Sequence, residues 1–196
     1  GCDFPVDPMQ APTEARLIWL PQDDTSVVVL GAPPDILSVD ADQQPAIYAA
    51  TSVDADGGTY LVFDLGNGQR VELVHPSATR PAKPLGAFIP LSLEGFDRLE
   101  SVARLLAALH GRAIPPDTRL TRQQRARSCR MLQAFDGHRA GATQQEIAQV
   151  VLRTPALDRD EWQASSARHA IKSLLRDARA MIAGGYRTLL RHRRQS

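Results

Sequence analysis

Ser165, Ser166, Arg168, His169 and Lys172 carry hydroxyl, guanidinium, imidazole and ammonium groups within one short stretch. Ser165, Arg168, Lys172, Arg176 and Arg179 recur at steps of three and four, so on a helix they share one face. Ala167, Ala170, Ile171, Leu174, Ala178 and Met181 fall on the other face. A cationic stripe opposite an apolar one offers charge neutralisation and hydrogen bonding to a polyanion rather than bond-breaking chemistry. An arginine such as Arg168 can address a guanine edge in bidentate fashion, and Ser165, Ser166, His169 and Lys172 are the other candidates for base readout. Arg122, Arg125, Gln144, Gln145, Arg176, Arg179, Arg187 and Arg191 are the candidates for phosphate contact. The bland alternative is a solvated face on which Arg176 and Arg179 pair with Asp177.

Catalytic patterns are missing from the linear sequence. It contains no His-Glu-x-x-His, no Cys-x-x-Cys, no Gly-rich phosphate loop and no Gly-x-Ser-x-Gly. Five scattered histidines and two cysteines, Cys2 and Cys129, make neither a metal set nor a disulfide framework. The expectation is a non-enzyme without metal or cofactor. Asp54-Ala-Asp56-Gly-Gly58 fails the calcium-loop pattern, because Gly58 and Leu65 stand where ligands belong, and it reads as a tight turn. Cys129 is expected to be a buried thiol.

The elements that would position the basic face follow from start and stop signals. Thr143-Gln-Gln-Glu146 is a capping box opening the apolar run Ile147, Ala148, Val150, Val151, Leu152. A polar connector over 153–164 follows, with Trp162 as its anchor to the core, and Ser165-Ser166 opens a helix to Gly184. Thr121-Arg-Gln-Gln124 is a second capping box, starting a helix with Ala126, Cys129, Leu132 and Phe135 inward and Gly137 at its end. These pieces fit a helix-turn-helix over about 121–183, with a connector longer than the usual three or four residues.

The first half reads differently. Ala15–Leu20, Ser26–Leu30 and Ala46–Thr51 are strand candidates, and Thr59–Leu65 with Gln69–Val74 form a hairpin about Gly66-Asn67-Gly68. Leu61, Phe63, Leu65, Val71 and Leu73 would share its buried face, with Asp64, Arg70 and Glu72 outside. Prolines 76, 81, 84 and 90 stiffen a connector to a helix over 93–110, whose Phe96, Leu99, Val102, Leu106 and Leu109 have helical period. A last segment from Tyr186 to His192 adds Leu189 and Leu190 to the core. The fold class is therefore α+β: a small, mostly antiparallel β module with an extended arm over 1–85, then a basic helical domain over 86–196.

The chain of 196 residues has a net charge of +1 that conceals a division. Residues 1–111 carry six Lys/Arg against fifteen Asp/Glu, a balance of −9; residues 112–196 carry seventeen against seven, a balance of +10. An acidic module joined to a basic one points to nucleic acid or another polyanion as partner of the second. No apolar run reaches the length of a membrane span and no signal-peptide pattern opens the chain, so a cytoplasmic location is expected. The first residue is glycine, which is expected of a cloning remnant on a truncated or processed protein.

Leu120-Thr-Arg-Gln-Gln-Arg125, Met131-Leu-Gln-Ala-Phe-Asp-Gly137, Ala140-Gly-Ala-Thr-Gln-Gln-Glu-Ile-Ala148, Trp162-Gln-Ala-Ser-Ser166 and Gly184-Gly-Tyr-Arg-Thr-Leu-Leu190 carry a resemblance. Over roughly residues 86–193 the chain resembles a proteobacterial family long catalogued as a domain of unknown function and now described as DNA-binding. Members include activators of excision and transfer genes on integrative and conjugative elements, small antiactivators that bind them, and a regulator of type VI secretion genes. The resemblance implies sequence-specific binding of promoter DNA and an activator role. The acidic half is expected to contact RNA polymerase, a paralogous antiactivator or the chain's own basic face, and self-association is a further expectation. The alternatives are an antiactivator working by protein contact, and an architectural factor that bends DNA for a recombinase.

Overall fold

The computed structural model describes residues 19–37, 40–47, 51–55, 57–76 and 84–191. The chain forms two compact units, Gly1–Asp117 with Leu190–Ser196, and Thr118–Leu189. The expected arm, most of the strand candidate at 15–20, part of that at 46–51, and Cys2 lie outside the described residues.

The first unit is built on a five-stranded sheet in the order β2-β3-β4-β1-β5. Its strands are β1 (Val28–Gly31), β2 (Thr51–Ala55), β3 (Gly58–Asp64), β4 (Arg70–His75) and β5 (Gly86–Phe88). β2–β3, β3–β4 and β1–β5 pair antiparallel, whereas β1 lies parallel to β4. The β3–β4 hairpin closes through Leu65 N–H donating to the Gln69 carbonyl at 2.9 Å. Gly66 and Gly68 take φ of +83° and +80°, the left-handed region that glycine enters without steric cost. The Asp54 turn joins β2 to β3 as a second hairpin, and Gly58 turns it at φ +128°. A Cβ there would sit 2.1 Å from the His75 carbonyl oxygen, so no other residue fits.

Period-two patterning holds on the expected face: Leu61, Leu65, Val71 and Leu73 are buried, with Phe63 packed against them. The opposite face is also apolar near its centre, where Val27, Tyr60, Val62 and Val74 form a second cluster. Glu72 on that side is half-buried and accepts the Trp19 N–H at 2.9 Å.

Helix α1 (Gly95–Leu109) belongs to this unit, since Leu105, Val102, Ala108 and Leu109 pack against the sheet cluster. Its inner face is otherwise polar. Asp97, Arg98, Ser101 and Arg104 are 7% exposed or less, whereas Phe96, Leu99 and Leu106 of the sequence's apolar stripe stand outward. The buried charges have partners, as their desolvation requires. Asp97 accepts from Thr25 Oγ1 at 2.5 Å, and Arg98 donates to the carbonyls of Val27 and Pro21. Burial lowers the Arg98 pKa against the opposing pull of Glu94, Asp24 and Asp97. Arg104 meets Asp117 at 3.5 Å.

The second unit is helical: α2 (Arg122–Arg139), α3 (Gln144–Val151), α4 (Arg159–Ala164), α5 (Ser166–Ile182) and a 3-10 turn at Gly185–Leu189. Met131, Ala134, Ile147, Ala148, Ala167, Ile171, Leu174, Leu175 and Ala178 make its core. The inward face of α2 is thus rotated from the expected one. Met131 and Ala134 are buried, Phe135 is half-buried, and Ala126, Cys129 and Leu132 are exposed, so Cys129 is a free, accessible thiol. The helix also runs through Gly137, whose missing Cβ lets Ile147 pack close, and the chain reverses at Gly141 with φ +88°.

Candidate nucleic-acid interface

The basic helix α5 is held by three capped starts. Thr121 accepts from Gln124 N–H at 3.2 Å while Gln124 Oε1 accepts from Thr121 N–H at 2.8 Å. Thr143 and Glu146 repeat the arrangement on α3, at 3.3 and 2.7 Å. Hydrogen bonds from the Thr143 backbone and hydroxyl hold the Glu146 carboxyl below its ordinary pKa. Each such box satisfies donors that a helix start leaves without partners.

The polar connector between α3 and α5 contains a third capping box, with Asp158 in place of the threonine. Asp158 accepts from Asp160 and Glu161 N–H at 2.9 and 2.8 Å, and Glu161 Oε2 accepts from Asp158 N–H at 3.0 Å. That makes α4 a short capped helix. Arg153 enters the left-handed region at φ +56°, which turns the chain out of α3. Gln145 Nε2 ties the connector down by donating to the Leu157 carbonyl at 2.5 Å. Trp162, half-buried, packs on the helical core as the connector's anchor.

On α5 the buried positions Ala167, Ile171, Leu174, Leu175 and Ala178 turn Ser166, His169, Lys172, Arg176 and Arg179 to solvent. The candidates for base readout separate accordingly. Ser166, His169 and Lys172 project freely from the first turns. Ser165 is the N-cap: its hydroxyl accepts from Arg168 N–H at 3.2 Å and donates to the Trp162 carbonyl at 2.9 Å. Arg168 is half-buried, with Nη1 at 3.5 Å from the Gln163 carbonyl.

The phosphate candidates separate as well. Arg122 and Arg125 stand exposed on the first turns of α2, and Arg187 is exposed in the 3-10 turn. Gln144 is half-buried at the start of α3, and Gln145 is committed to the connector. Arg176 donates through Nε to Asp177 Oδ1 at 3.0 Å, and Arg127 on α2 reaches Asp177 Oδ2 at 2.5 Å. Those two guanidiniums hold the Asp177 carboxyl below its ordinary pKa, the Arg176 hydrogen bond contributing most. Arg179 Nη2 lies 2.9 Å from His138 Nε2. A guanidinium can only donate, so that imidazole nitrogen is the acceptor. Arg191 lies in the sheet unit, bonded to Glu94 at 3.1 Å and to the Gln22 carbonyl at 2.9 Å. The link from Arg127 to Asp177 crosses from one helix to another, so spacing along a single helix does not reveal it.

Among the described residues no group of three His, Cys, Asp or Glu could hold a metal ion. No helix there is long and apolar enough to cross a membrane.

The helical unit presents an outward cationic face on α5. Residues 88–191 match the family described as the T6SS transcription factor, DNA binding domain, RovC type. The match covers more than half of the chain, and the chain belongs to that family. The matched segment begins at Phe88, the last residue of β5, and takes in α1 as well as the whole helical unit. No curated protein and no solved structure matches the chain.

Proposed function

We propose that the chain is a sequence-specific promoter-binding protein that activates excision or transfer genes of a mobile element. The observation that carries the DNA reading is the first two turns of α5. There Ser166, His169 and Lys172 are exposed, while Ala167 and Ile171 behind them are buried in the α2–α3–α5 core. A rigid helix start that presents a hydroxyl, an imidazole and an ammonium fits insertion into a major groove. Arg122, Arg125 and Arg187 supply cations for the flanking phosphates, and Arg176 and Arg179 extend them along α5. α3 and the capped connector serve as the helix-turn-helix support. The activator role rests on the acidic β half, which exceeds what a minimal antiactivator needs, and the mobile-element target rests on the resemblance carried by the motifs over residues 120–190.

The test is fluorescence anisotropy of the full chain on promoter and scrambled duplexes at several salt concentrations. Promoter binding tighter by about a thousandfold or more, with a steep salt slope, is expected of a specific regulator. Weak and equal binding to both duplexes would overturn the reading and favour an antiactivator acting through protein contact.

A further inference from the structure

Helices α1, α2 and α5 end alike. Two positions past the last helical residue stands a glycine, Gly111, Gly141 or Gly184, at φ +61°, +88° and +121°. Left-handed glycine at that position is a common way for a helix to close, because the chain turns back with no Cβ in the way. α3 ends at Val151, and there the same position belongs to Arg153 at φ +56°. Among the described residues Arg153 is the one non-glycine residue with positive φ. A side chain is thus carried where the other helix ends dispense with one, against a steric cost.

Among the described residues nothing takes up that side chain. Arg153 is exposed, and its guanidinium has neither a hydrogen bond nor an ion pair there. Two acids of the connector, Asp158 and Glu161, are engaged in the capping box of α4. Opposing the negative end of the α3 dipole does not require this position either. Val150, 78% exposed in the last turn, could carry a cation for that purpose on unstrained helical backbone, yet that turn holds no basic residue. A conformation kept at a cost, with no internal partner, marks a side chain retained for an external contact.

We infer that Arg153 holds a backbone phosphate of double-stranded DNA at the end of α3, and that its charge is what the left-handed turn is kept for. The inference rests on the DNA reading above. In a helix-turn-helix the supporting helix crosses the sugar-phosphate backbone while the second helix lies in the groove. Here α3 supports α5, so a cation where the connector leaves α3 falls to the backbone rather than to base edges. Arg153 adds to Arg122, Arg125 and Arg187 a contact that helical spacing does not reveal, since it lies past the last residue of a helix and on no helix face. A phosphate contact carries no sequence information, so it strengthens promoter and scrambled duplexes alike.

Anisotropy of the full chain across salt concentrations, with a thermal melt of each variant, tests it. Arg153→Gly is expected to raise the thermal midpoint by roughly 2–4 °C, because it removes the steric cost. The same substitution should weaken binding to both duplexes about five- to tenfold at about 0.1 M salt and lower the salt slope by about one. Arg153→Asn, uncharged but tolerant of the left-handed region, should show the same loss, whereas Arg153→Lys should keep most of the affinity. Unchanged affinity in Arg153→Gly and Arg153→Asn, with the parent chain binding DNA, would overturn this inference and leave the DNA reading standing. A lower midpoint in Arg153→Gly would overturn it too, as the mark of a structural role for the side chain. A parent chain that binds neither duplex would remove the DNA reading and this inference with it.

Discussion

Arg127 of α2 meets Asp177 of α5 at 2.5 Å, fifty residues along the chain, and Arg176 approaches the same carboxylate from its own helix. One acid therefore sits among two of the cations nearest the candidate DNA face. Asp177→Ala should tighten binding to scrambled DNA and steepen its salt dependence, because it releases two guanidiniums to phosphate. Its cost to folding should stay below about 1 kcal/mol, since both arginines are more than half exposed. Anisotropy across salt and urea denaturation check the two halves.

Base and phosphate contacts should part cleanly by mutation. His169→Ala with Lys172→Ala is expected to lower promoter affinity while leaving scrambled DNA less affected, by roughly 1–3 kcal/mol of lost discrimination. Arg122→Ala should weaken both duplexes equally and reduce the salt slope by about one. Equal losses from both sets would remove α5 from the readout role.

Acid should loosen the helical unit. Glu146 and Asp177 have carboxyl pKa values below their ordinary ones, Glu146 through Thr143 and Asp177 through Arg176 and Arg127. A depressed folded-state pKa contributes stability that is present above the unfolded value and is lost as pH falls through the folded one. Thermal midpoints should thus be level near neutrality and decline once pH drops below the ordinary carboxylate range. Glu146→Gln, which can keep the capping box, should flatten part of that decline.

The cores should tell local from global damage. Ile171 is fully buried, so Ile171→Ala should cost about 2–5 kcal/mol in urea denaturation. Thr143→Ala removes one cap and should cost about 1 kcal/mol.

Cys129 should react with a thiol reagent in the native protein at nearly the rate of a free peptide thiol, because it is exposed on α2. Slow modification released only by denaturant would contradict that placement.

The local signals in the sequence reached the structure intact. Capping boxes at Thr121 and Thr143, the glycine turn at 66–68 and the alternation over 61–73 depend on neighbours a few residues away, so chemistry and spacing suffice to read them. The basic face of α5 was legible for the same reason, since one helix defines its own two sides. The sequence was also enough to place the family, from short motifs spread over the second half. What required the tertiary structure was which side of a helix finds the core. α1 has an apolar stripe at helical period, yet Thr25 and the Val27 and Pro21 carbonyls supply partners for Asp97 and Arg98, so its polar side is buried. On α2 the sequence pattern placed Ala126, Cys129, Leu132 and Phe135 inward, but Ile147 and α5 pack against Met131 and Ala134, and of the expected set only Phe135 is partly buried. The parallel pairing of β1 with β4, the link from Arg127 to Asp177 and the tie of Arg191 to Glu94 join residues distant in sequence. Long-range partners leave no periodic trace along the chain, and only the folded arrangement brings them within bonding distance.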